Sequence, residues 1–117
     1  MLDDLAAHIC EMLAPMGEIT VRRMFGGYCL YCDRVPFALI SEGVFYVKAD
    51  DQNRPAFLDA GLEPFRPFAD KPTALSYYPV PESALDDRAE LLSWTRPAFD
   101  AGLRAAAKKR ARKKKAE

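Results

Sequence analysis

The sequence predicts an α+β domain: a mostly antiparallel sheet of five to six strands, with an N-terminal helix, a short middle helix and a long C-terminal helix. Three observations carry this reading. Apolar residues recur at helical spacing near both ends, with Leu5, Ile9, Met12 and Leu13 at one and Leu91, Trp94, Ala98 and Leu103 at the other. Between residues 18 and 49 the period shortens to the alternation of half-buried strands. Glycine and proline break that region into runs of five to seven residues, too short for helices and right for a meander.

Residues 3–14 form the first helix, capped by Asp3 or Asp4 and stopped by Pro15 and Gly17. EITVRRM (18–24), GYCLYC (27–32), PFALI (36–40) and VFYVKA (44–49) read as four consecutive strands. The last two flank Ser-Glu-Gly, a tight hairpin connection. A short helix runs from Asp50 to Ala60, with Asp51 or Asn53 as cap, Pro55 in its first turn and Gly61 as stop. PFRPF (64–68) is an edge or irregular strand because of its prolines, and ALSYYPV (74–80) is a better one. Asp87 and Glu90 have capping-box spacing at the start of the last helix. Pro97 falls inside that helix and predicts a kink or a split.

The 117 residues, half of them apolar, suffice for one core. The zero net charge conceals two segments. Residues 1–107 carry ten Lys or Arg against sixteen Asp or Glu, a net −6; residues 108–117 carry seven against one, a net +6. The expected division is therefore an acidic domain, 1–107, and a disordered basic tail, 108–117, into which the last helix runs out. No apolar run approaches the length of a membrane span. Three cysteines and the lack of a cationic, apolar leader point to a reducing, cytoplasmic setting.

Chemistry-bearing residues are few. Cys29 and Cys32 form a C-x-x-C, but strand residues three apart face opposite ways, so neither a disulfide nor a shared metal is expected. No metal ligand set, cofactor site or catalytic group is predicted. His8 has no nucleophile at a plausible spacing. Asp50-Asp51 and Asp86-Asp87 read as helix caps. Gly26-Gly27 reads as a bend into the strand rather than a phosphate cradle. Arg22 and Arg23 are adjacent, so one faces in and one faces out; the outward one joins Tyr28, Lys48 and Tyr77 as a candidate binding surface. Lys108, Lys109, Arg110, Arg112, Lys113, Lys114 and Lys115 are the candidate nucleic-acid contacts.

The run Arg22-Arg23-Met24-Phe25-Gly26-Gly27-Tyr28, followed by Leu30-Tyr31, Phe37 to Ile40, Tyr46 to Lys48 and Ser76-Tyr77-Tyr78, resembles the N-terminal domain of the TfoX (Sxy) family, here in stand-alone form. The resemblance covers roughly residues 3–104. It implies an α+β fold and a regulatory role without catalysis. Members of that family regulate DNA-transformation competence, and the best known act with the cyclic-AMP receptor protein at promoters. A regulatory or adaptor domain with a protein partner, monomeric or homodimeric, is thus the first expectation. A nucleic-acid-binding protein using its basic tail is the alternative. A small-ligand binder or enzyme comes third, and would need Arg23, Lys48 and Tyr77 in one pocket.

Overall fold

The computed structural model describes residues 3–24, 26–66 and 76–116, with side chains through residue 113. Helix α1 (Asp4–Met12) starts where the Asp3 carboxylate accepts the Ala6 N–H at 2.8 Å. A 3-10 turn at Ala14–Met16, with Pro15 in it, ends the helical stretch. Strands β1 (Ile19–Met24), β2 (Gly27–Cys32), β3 (Val35–Ser41) and β4 (Val44–Lys48) form an antiparallel meander, and β5 (Tyr77–Pro79) adds to β4. The sheet order is β1-β2-β3-β4-β5. Helices α2 (Arg54–Asp59) and α3 (Arg88–Ala116) and a 3-10 turn at Glu82–Asp86 complete the described elements.

Two hairpins close on two-residue turns with positive φ at both positions: Asp33 (49°) and Arg34 (70°), then Glu42 (50°) and Gly43 (75°). That backbone hand matches strand twist and fixes the pairing register. Register in turn fixes the faces. Tyr28, Leu30 and Cys32 on β2 are buried, as are Phe45 and Val47 on β4, while the residues between them are half-buried. A bulge puts the extra residue Phe37 between the pairs Leu30–Ala38 and Tyr31–Pro36. This lets the consecutive residues Phe37 and Ala38 both bury.

The three described helices pack on one face of the sheet. Ile9 and Leu13 anchor α1 in the core. Phe57 carries α2, its ring 5.0 Å from those of Tyr78 and Trp94. On α3, Leu91, Thr95, Ala98, Ala101 and Gly102 are buried, and Phe99 meets Phe37 edge to face at 6.3 Å. At Gly102 α3 comes close to the sheet: a Cβ there would lie 2.8 Å from the Pro36 carbonyl oxygen. Arg88 donates to the carbonyls of Met12 and Glu11 at 3.1 Å, closing the end of α1 with a cation. The His8 imidazole donates from Nε2 to the Leu85 carbonyl at 2.7 Å, so this histidine is a tie between elements.

The structure corrects several expectations. The buried stripe of α3 is 91, 95, 98, 101 and 102, and Leu103, predicted to share it, is exposed. Pro97 does not split α3. Pro97 and Ser93, whose carbonyl loses its helical partner to the proline ring, are both exposed, so water can serve that carbonyl. Asp87 caps α3 as expected, accepting the Glu90 N–H at 3.0 Å. Asp50 and Asp51 are not caps of α2, which begins later, at Arg54. Asp51 pairs with Arg54 at 2.6 Å, and Asp50 receives Arg104 of α3 through two hydrogen bonds of 2.6 and 2.9 Å. Of the strand expected at 64–68, residues 64–66 are irregular, joined to β5 by the Phe65 N–H donating to the Tyr77 carbonyl at 2.7 Å. Residues 67 and 68 lie outside the described residues, as do 74 and 75 of the strand expected at 74–80. The basic segment continues α3 to Ala116, where the sequence suggested a coil. Alanine, lysine and arginine are strong helix formers, and cations favour a helix C-terminus.

Candidate interaction surface on the open face of the sheet

No helix among the described residues covers the second face of the sheet. Cross-strand pairing builds it in rows. Arg22 sits opposite Cys29, Cys29 opposite Leu39, Leu39 opposite Tyr46, and Tyr46 opposite Pro79. A second row begins with Thr20 and Tyr31, and Lys48 pairs with Tyr77 at the other edge. The face thus displays one exposed arginine, one half-buried lysine, three half-buried tyrosines and a thiol. Phe65 folds over part of it, its ring 4.6 Å from that of Tyr46.

The cations lie on tyrosine rings. The Arg22 guanidinium is 5.7 Å from the Tyr31 ring centre, and the Lys48 ammonium is 5.1 Å from that of Tyr77. Each cation loses little freedom when it meets a ligand, because its aromatic neighbour already orients it. Burial pushes the Tyr77 hydroxyl up to about 12, with Cys29 and Tyr31 adding to the effect, so it stays a neutral donor. Tyr46 is raised by burial and by Glu42. Burial also raises the Cys29 thiol, against the opposing pull of a side-chain hydrogen bond with Tyr31 and of Lys48 and Arg22. A raised thiol is a weak nucleophile at neutral pH. The surface therefore offers hydrogen bonds, positive charge and aromatic area.

The predicted binding residues divide between locations. Arg22, Lys48 and Tyr77 come together on the open face. Arg23 and Tyr28 do not join them: they pair with each other on the helix side, the guanidinium 6.0 Å from the ring centre, and Tyr28 is buried. Adjacent strand residues must diverge in this way. Arg23, Lys48 and Tyr77 accordingly lie on different faces, and the pocket expected of a small-ligand binder is not formed. Met24, Gly26 and Gly27, with Arg23 and Tyr28, line a shallow depression at the β1–β2 turn. Their chemistry is architectural. Gly26 has φ of 80°, and a Cβ on Gly27 would collide with the Ile40 carbonyl oxygen. Phe25 lies outside the described residues. Cys29 faces the open side while Cys32 is fully buried on the helix side, its thiol raised by burial, so the C-x-x-C cannot gather both sulfurs on one ion.

Sequence reasoning passed over Cys29 and Leu39 as surface partners and favoured ordinary cross-strand packing for Tyr31 and Tyr46. The signal was present in the turn lengths. Once two-residue turns set the register, Arg22 and Cys29 must be opposite, and parity places the others beside them. Asp50 with Arg104 had no such signal, since 54 residues separate them.

The profile of the TfoX N-terminal domain matches residues 11–102, which takes in the five described strands, α2 and the first half of α3. The chain belongs to the TfoX N-terminal domain family. This is a competence-related regulatory family. Over 101 residues the chain is 30% identical to protein Sxy of Escherichia coli strain K12, a match covering 80% of the chain and 46% of that protein. The chain thus spans about half the length of the curated relative it resembles. The family region contains the whole open face, whereas the basic residues from Lys108 onward lie beyond it.

Proposed function

We propose that this TfoX-family domain regulates transcription of competence genes in the cytoplasm by binding another macromolecule, a protein of the transcription machinery, through the open face of its sheet. The observation that carries the proposal is the placement of Arg22, Lys48, Tyr31 and Tyr77 on the one sheet face that no described helix covers, within the family region. Arginine and tyrosine are the residues that most often anchor protein interfaces, because they combine large rigid area with hydrogen bonds. The raised Cys29 thiol supports binding rather than catalysis on this face.

The test is complementation. An E. coli strain lacking its Sxy receives this chain, and competence-gene transcripts are measured. The proposal expects transcripts well above the empty-vector level. Vector-level transcripts from a chain that is folded and abundant would refute it.

A further inference from the structure

The basic end of α3 lies beyond the family region and outside the open sheet face on which the function just proposed rests. A coiled tail of charge +6 attached to a body of charge −6 would collapse onto that body. The helix prevents this. It runs unbroken from the core-packed turn at Ala98–Gly102, through Arg104 with its two hydrogen bonds to Asp50, to Ala116. The Asp50–Arg104 clamp fixes the direction in which the remaining turns leave the domain. Beyond it, residues 108–113 are all exposed.

The distribution of charge around this helix selects the partner. At about 100° per residue, Lys108, Lys109, Arg110, Arg112 and Lys113 cover about 200° of the circumference, and Ala107 and Ala111 lie together as a strip outside that arc. A flat membrane would contact one side only and needs large apolar residues on that side; the segment 104–116 has no apolar residue larger than alanine. A single strand or a flat acidic protein surface would leave half of the cations unmatched. Phosphates on both walls of a duplex major groove, about 12 Å wide, match cations on both flanks of a helix. The small alanine strip lets that helix sit deep.

We propose that residues 104–116 form a rigid helical element that docks in the major groove of duplex DNA and binds its phosphates without sequence preference. Lysine and arginine contacts to phosphate hold position and carry no base information. Rigidity separates this from a charged tether: the charges must be present and also helically arranged.

The experiment measures binding of the full chain to a labelled random-sequence 20-base-pair duplex, a single strand of equal length, and vesicles with and without phosphatidylserine. The expected result is preference for the duplex, with log K falling against log salt at a slope of about −4 to −6. The variant Ala107→Pro/Ala111→Pro keeps every charge but breaks the helix outside the core. It should lower duplex affinity at least tenfold while the melting temperature of the body is unchanged. Unchanged affinity in this variant would mean a tether and overturn the proposal. So would equal or tighter binding to the single strand or the anionic vesicles, or no binding to duplex at all. These outcomes are separate from the complementation result, which depends on the sheet face.

Discussion

Leu30 and Tyr31 are neighbours on β2, yet they belong to different parts of the molecule. Leu30 is fully buried between the sheet and its helices, in a row with Ala38, Val47 and Tyr78. Tyr31 lies on the open face beneath Arg22. The same alternation of the backbone supplies both. The helix-covered face is apolar and closely packed and carries stability; the open face is cationic and aromatic, and is the one proposed for recognition. Changes on the first should reduce folding, and changes on the second should leave folding intact.

The largest effect is expected at the core. Leu30→Ala should cost about 2–5 kcal/mol in urea unfolding, while Tyr31→Ala should cost under about 1 kcal/mol, the scale of a surface cation–π contact. Equal losses would break the division between the faces. Gly27→Ala comes next, at about 1–3 kcal/mol, because the new methyl group meets the Ile40 carbonyl oxygen. If it unfolds no more readily than wild type, the β1–β2 turn is looser than its geometry implies.

The Asp50–Arg104 clamp gives a smaller effect, confined by pH. Arg104 holds the Asp50 carboxyl at about 2, below its ordinary value near 4. A depressed folded value means the stabilisation is present above about pH 4 and fades as pH falls towards 2. Asp50→Asn should therefore melt below wild type at pH 6, with the gap closing by pH 2. A gap independent of pH would rule out the ion pair as its source. The smallest effect is chemical. In the native state Cys29 should react with a thiol reagent, slowly because its thiol is raised, while Cys32 should be protected until unfolding. Mass spectrometry of the labelled peptides distinguishes them.

Much of this was legible in the sequence, for local reasons. Asp3, Asp87, Pro15 and the Glu42-Gly43 turn act on their own neighbourhoods, and each does in the structure what its chemistry predicts. Opposite faces for Cys29 and Cys32 follow from strand parity alone. What failed depended on distance or on small angular offsets. Leu103 stands one position past Gly102, and that 100° step moves it from core to solvent. Asp50 resembled a cap because sequence does not reveal a partner on another element. Arg23 and Tyr28 were grouped with Lys48 by residue type, whereas the register places them on the other side of the sheet. The basic segment looked like a coil by its charge, although its alanines and lysines favour the helix that forms.

The central claim is that recognition resides on the open face independently of stability. The most direct test is Arg22→Glu/Lys48→Glu in the complementation assay, with thermal melting of the purified variant measured in parallel. The account predicts transcripts reduced to the vector level with a melting temperature within a few degrees of wild type. Full transcription from the doubly reversed protein would contradict it.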